Sequence, residues 1–223
     1  MNIYPKIKGA VDSWELIVAG HLRWNRYFGE SEDKPPRGAP STCSSVLISG
    51  TAENGTVYRL MVDPTLRNDA AEYDFDINRR TGLHIKDITH CFATHHHADH
   101  FEAFEDLPDA VWYAPEAVKK LITEQNAKLG EKIIAVDGEF LPGVFALPLP
   151  GHCKDIHGAA FAYNNTHILV AGDAVMTKYH FRDERTEFQN DPELIAQAAQ
   201  TIRDIKESFD LIIPGHDNII VNI

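Results

Sequence analysis

Five apolar stretches of this chain end in the same way, on a side chain that can hold a metal ion. "LMV" runs into Asp63, "CFAT" into "HHHADH" at 95–100, "ALPLPG" into His152, "ILVAG" into Asp173 and "LIIPG" into His216. Short apolar runs bounded by Gly, Pro and polar residues read as strands. Side chains that do chemistry sit on loops held by such a scaffold. The repeated ending therefore constrains the fold: these strand ends should meet at one edge of the sheets.

The remaining punctuation fills in that frame. "WELIVAGHLRWNRYF" (14–28) reads as a strand with aromatics, and the Gly, Pro and charges of 29–41 as a surface loop. "CSSVLIS" and "TVYRLMVDP" are strands joined at Asn54-Gly55, a hairpin signal. A helix is expected over 66–81, then strands over 88–95 and 110–115. Pro115 and Gly130 bracket a helix. The segments 132–140 and 143–152 return to β, Asn164-Asn165 turns a hairpin, 191–208 is an amphipathic helix, and 210–216 a final strand. Grouped strands with interspersed helices predict sheets flanked by helices, an α/β chain (α+β in layer terms). A length of 223 residues fits a single domain over 1–223.

Composition narrows the partners. A formal charge of −12 argues against nucleic acid, which needs clustered Lys and Arg. No apolar run is long enough to span a bilayer, so no membrane partner is expected. The start lacks a secretory apolar core, and an odd count of 3 cysteines makes no disulfide framework. The expectation is a cytoplasmic protein in a reducing compartment. Cys43 and Cys91 read as strand packing and Cys153 as a small buried thiol.

Spacing within the cluster gives the chemistry. In an extended segment His95 and His97 point to one side and His96 to the other. Asp99 and His100 follow across Ala98, which allows a tight turn. One loop can then offer two imidazoles to one ion and a carboxylate plus an imidazole to a second. Asp173, with two oxygens, can bridge, and His152 and His216 complete the two shells. Imidazole and carboxylate suit zinc, and also iron or manganese. A lone histidine after a strand is ordinarily a satisfied surface or core residue. By that standard His21, His84, His90, His157, His167 and His180 are not ligands. The cluster differs, because so many close imidazoles depress one another's basicity unless a cation is present.

At this point the sequence resembles the metallo-β-lactamase superfamily. The resemblance runs from about Asp63 to His216, on His-x-His-x-Asp-His, "PGH" at 150–152, "AGDA" at 171–174 and "PGH" at 214–216. It implies an αββα four-layer sandwich with two divalent metal ions at one edge, zinc by default. By motif match, His95, His97 and His152 hold the first ion, Asp99, His100 and His216 the second, and Asp173 bridges. Asp63 matches an aspartate that supports ligands from behind.

The ions imply a binuclear metallohydrolase attacking a small ester, lactone, thioester or β-lactam with metal-activated water, Asp99 steering a proton to the leaving group. "AGDAVMTKYHF" and "PGHD" resemble the homoserine-lactone lactonases, which carry a tyrosine three residues after the bridging aspartate; here that residue is Met176. The chain runs 7 residues past His216, too few for a helical substrate domain like that of glyoxalase II. Tyr179, His180 and Arg182 either line the pocket or form an exposed turn. Two rival classes are an oxidoreductase like the persulfide dioxygenases, which carry a similar motif and use one iron, and a non-catalytic metal-binding protein. Intact ligands at 7 positions argue against the latter. The oligomeric state is open, a homodimer included.

Overall fold

The computed structural model describes residues 11–21, 42–65, 67, 69–186 and 189–222. The expected loop at 29–41 and most of the aromatic half of the strand expected over 14–28 lie outside them. Two six-stranded mixed sheets pack face to face. The first runs β1 (Val11–Val18), β2 (Ser45–Thr51), β3 (Val57–Val62), β4 (His90–Phe92), β5 (Val111–Pro115) and β6 (Ile134–Val136) in spatial order. It is antiparallel from β1 to β3 and parallel from β3 to β6.

The second sheet contains β7 (Gly138–Leu141), β8 (Val144–Pro148), β9 (His157–Tyr163), β10 (Thr166–Gly172), β11 (Leu211–Pro214) and β12 (Ile220–Val221). They lie in the order β12-β11-β10-β9-β8-β7, antiparallel except for the parallel pair β10 and β11.

Alternation along the strands builds three cores. Val46, Ile48, Leu60, Val62 and Phe92 of the first sheet meet Val144, Phe161, Val170 and Ile213 of the second between the sheets. Leu47, Met61 and Cys91 face the other way, onto Tyr73 and Ile77 of helix α1 (Ala70–Thr81) and Val118 and Ile122 of α2 (Glu116–Gln125). Ala160, Leu169 and Ile212 cover Ile202 and Ile205 of the long helix over 192–208. The layers are therefore α, β, β, α, as the resemblance implies.

Local signals hold to different degrees. Asn164 and Asn165 both take positive φ, 50° and 63°, as a two-residue hairpin requires. Asp191 accepts from the Glu193 amide and starts the 192–208 helix at Pro192. The helix expected over 115–130 breaks at Asn126, where φ is −143°, into α2 and a short α3 (Ala127–Gly130). α4 (Lys178–Asp183) precedes the 192–208 helix, α5. The strand expected over 88–95 covers only His90–Phe92, and the one over 210–216 is not final, since β12 follows. The β stretch expected over 132–140 is two strands. It turns at Asp137, leaving β6 at the edge of one sheet and β7 at the edge of the other.

Candidate metal centre

The parallel pairings set the site. β3 and β4 run together, as do β10 and β11, so their C-terminal ends point to one edge. The loops after β3, β4, β8, β10 and β11 bring Asp63, His95–His100, His152, Asp173 and His216 there. The chain leaves β4 at Phe92 and bends through 94–97, so the common aim of His95 and His97 comes from a bend and not from strand alternation. A single 3₁₀ turn over Ala98–His100 then carries Asp99 and His100.

The side chains form two groups. His95 Nε2 and His152 Nε2 each lie 3.0 Å from His97 Nδ1. Ligand nitrogens about 2.0–2.1 Å from a tetrahedral zinc are about 3.3 Å apart, close to that spacing. Asp99, His100 and His216 form the other group. His216 Nε2 and His100 Nε2 are 3.5 and 3.8 Å from Asp99 Oδ2. Asp173 stands between the groups. Its Oδ2 is 3.5 Å from His152 and 3.8 Å from His95, and its Oδ1 is 3.2 Å from His216 and 3.4 Å from His100.

Hydrogen bonds behind the ring set the tautomers. Asp63, 1% exposed, accepts the Thr94 amide at 2.8 Å, the Thr94 hydroxyl at 2.7 Å and His100 Nδ1 at 2.8 Å. Having donated to Asp63, the Thr94 hydroxyl accepts from His95 Nδ1 at 3.1 Å. His216 Nδ1 donates to the Thr42 carbonyl at 3.0 Å. Three imidazoles thus donate outward through Nδ1 and turn Nε2 inward. Asp63 itself has φ 46°, a costly conformation for a residue with a side chain, held by its amide bond to the Phe92 carbonyl.

The site fits two cations. His100 Nε2 and Asp173 Oδ1 are sealed from solvent without a hydrogen-bond partner among the described residues, though both face the centre. Buried polar atoms of this kind are costly unless something else satisfies them. Burial, reinforced by neighbouring histidines, pushes His95 and His152 below the usual imidazole range, and His97 to about 4. Burial also opposes charge on His100 and His216, but the acidic groups around them outweigh it and raise both: Cys43, then Asp63 and Asp173, for His100, and Asp173 above all for His216. Burial opposes charge on Asp173 too, and His216 and His100 outweigh it and lower its pKa.

The structure brings together His95, His97, Asp99, His100, His152, Asp173 and His216, with Asp63 behind them. His96 is half-buried and outside both groups, its carbonyl taking the Gln125 amide at 3.1 Å. Of the downstream residues, His180 is fully buried with Nδ1 2.9 Å from the Thr177 hydroxyl. Arg182 is exposed, bonded to Asp183 and 5.3 Å from the half-buried Tyr179 ring. Met176 is buried, and its carbonyl accepts the His216 amide at 2.8 Å.

Sequence reasoning missed Thr94, whose hydroxyl only the fold brings to Asp63. It also missed Gln189, which bonds the His152 carbonyl at 3.0 Å. Cys43 was expected to pack a strand; it lies at the site instead, its sulfur 3.0 Å from the Asp99 carbonyl and 3.3 Å from the Asp63 carbonyl. Burial raises its thiol pKa strongly. Cys91 is a packed strand residue as expected, and Cys153 is only partly buried.

Residues 38–216 match the metallo-beta-lactamase superfamily. The chain belongs to that superfamily. Among curated relatives, an N-acyl homoserine lactonase of Bacillus thuringiensis is 27% identical over 205 residues, covering 86% of this chain and 80% of the relative. Among solved structures, a variant of the B. thuringiensis lactonase AiiA with N-decanoyl-L-homoserine at its active site superposes with a TM-score of 0.60 at 18% identity, over 92% of each chain. A quorum-quenching N-acyl homoserine lactone lactonase gives 0.62 at 20% identity, over 93% of each. The chain is a metal-dependent hydrolase with a binuclear site, distantly related to these lactonases. None of its described helices is long and apolar enough to cross a membrane.

Proposed function

We propose that this hydrolase opens small lactones or related esters, with N-acyl homoserine lactones the first substrates to try. The support is the position of Asp173, one oxygen toward each ligand group, together with the lactonase activity named for relatives at 27% identity. His95, His97 and His152 would hold one ion, Asp99, His100 and His216 the other, with Asp173 shared. Zinc suits this donor set best, and iron and manganese share its preferences.

Bound there, the ions would supply Lewis acidity and lower the pKa of water to near neutrality. The chain's own residues do the rest. Asp63 and Thr42 fix the rings of His100 and His216 before substrate arrives. Asp99, whose side chain is 26% exposed, stands on the open side, where a carboxylate oxygen takes the proton that the attacking water gives up and passes it to the departing alkoxide. His97 is exposed as well. Met176 stands where the lactonases carry tyrosine, so that position supplies no phenol to the opening ring.

The test is a pH-stat assay on homoserine lactones of graded acyl length, a nitrophenyl ester, a thioester and a phosphodiester. Lactone opening that disappears with chelator and returns with zinc is the expected result. Ester or thioester turnover with inert lactones would move the substrate. Oxygen uptake with glutathione persulfide, and no hydrolysis, would overturn the proposal.

A further inference from the structure

The Asp99 carboxylate has no outer partner among the described residues. It contacts members of the cluster, His100 at 3.8 Å and His216 at 3.5 Å, so its aim depends on the backbone that carries it. That backbone is one turn, closed by the His100 amide on the His97 carbonyl at 3.0 Å and the Phe101 amide on the Ala98 carbonyl at 3.2 Å. The turn runs on into a second 3₁₀ stretch, Glu102–Asp106, packed by the buried Phe101 and Phe104, and Cys43 reaches its Asp99 end from the N-terminal part of the chain.

We propose that Cys43 is a positioning residue for the second ion, its thiol holding the turn of Asp99 and His100 by a hydrogen bond to the Asp99 carbonyl. The inference rests on the two-ion reading above. The sulfur is fully buried, 3.0 Å from that carbonyl, and 3.3 Å from the carbonyl of Asp63, whose carboxylate orients His100. One thiol proton thus serves two loops that each aim a member of the same group. Its chain neighbours act on the third member. The Thr42 carbonyl takes His216 Nδ1 at 3.0 Å, and the Ser44 amide bonds the Gly215 carbonyl at 2.6 Å. The Ser44 hydroxyl reaches the Asp217 carbonyl at 3.3 Å. Both of its neighbours are carbonyl oxygens, which only accept, so the thiol is the donor.

Cys91 is an internal control: it is as buried as Cys43, sits mid-strand, and packs in the helix-facing core. Chelator-competition titration with zinc, and cobalt absorption spectra, would be recorded for wild type, Cys43→Ala, Cys43→Ser and Cys91→Ala. Cys43→Ala should take the first ion normally and bind the second about tenfold or more weakly. Cys43→Ser should recover part of that loss, and Cys91→Ala should bind both ions as wild type does. Equal weakening of both ions by Cys43→Ala, or wild-type affinity for the second, overturns the role of Cys43. If Cys43→Ala does not fold, Cys43→Ser decides: equal effects on the two ions again overturn it. A wild-type protein that saturates with one ion would overturn the two-ion reading itself, a distinguishable outcome.

Discussion

The two halves of the metal centre are built differently. His100 and His216 are 0% and 3% exposed, and each donates its outer nitrogen to a fixed acceptor, Asp63 and the Thr42 carbonyl. In the three-histidine half His95 alone has such a partner among the described residues, the Thr94 hydroxyl. His152 Nδ1 is buried without one, and His97 is exposed. One half is held from behind by the fold; the other is held by the crowding of three imidazoles around one point. The contrast separates two routes to a metal site, outer hydrogen bonds and ligand number, which fail under different perturbations.

The strongest perturbation removes a ligand from the crowded half. His97→Ala should lower hydrolysis by more than about a hundredfold, above the usual cost of losing an outer-sphere partner, and release the first ion. His96→Ala should keep both ions and at least partial activity. Kinetics with elemental analysis on the pair would check this; metal loss from His96→Ala alone would reverse the register of the loop.

Next comes the braced half. Asp63→Asn leaves the volume but weakens the acceptor shared by Thr94 and His100. The second ion should bind about 10–100-fold more weakly, with a smaller effect on the first through Thr94 and His95. Isothermal titration would show it, and equal losses at both ions would erase the contrast.

Acid should separate the halves in the same order. His100 and His216 are raised, so they take protons earlier as pH falls, while His95, His97 and His152 are lowered and stay neutral further down, His97 to about 4. Protons compete with the ion for these nitrogens, weakening it up to about tenfold per pH unit for each proton displaced. The second ion should therefore leave first on acidification below neutrality. Stepwise dialysis with metal analysis follows this, and prior loss from the three-histidine group would contradict it.

The mildest change lies away from both. Asn165→Ala in the β9–β10 turn forces a non-glycine, non-Asn residue to φ 63° and should cost about 1–2 kcal/mol, read as a lower Tm. Both ion affinities should stay as they are; a selective loss would mean that the turn communicates with one half.

What was legible in the sequence was local or repeated. Asp191-Pro192 started its helix as expected because cap and first turn are set within four residues. Asn164-Asn165 turned because both residues tolerate positive φ. The metal-facing residues stood out because each follows an apolar strand. The split of 132–140 between two sheets was not legible, since the choice of sheet depends on partners in β5 and β8 and not on those nine residues. Cys43 carries no local mark either: its contacts lie 20 and 56 residues away.

The hydrogen bond from His216 to the Thr42 carbonyl spans 174 positions of chain, whereas His152 meets His97 across 55. Closing the longer loop costs about 1 kcal/mol more chain entropy. Contacts of such high sequence separation belong to the slow, late part of assembly. The half of the centre most firmly braced when complete is thus the one a refolding chain finishes last, and capacity for a single ion should return before capacity for the pair.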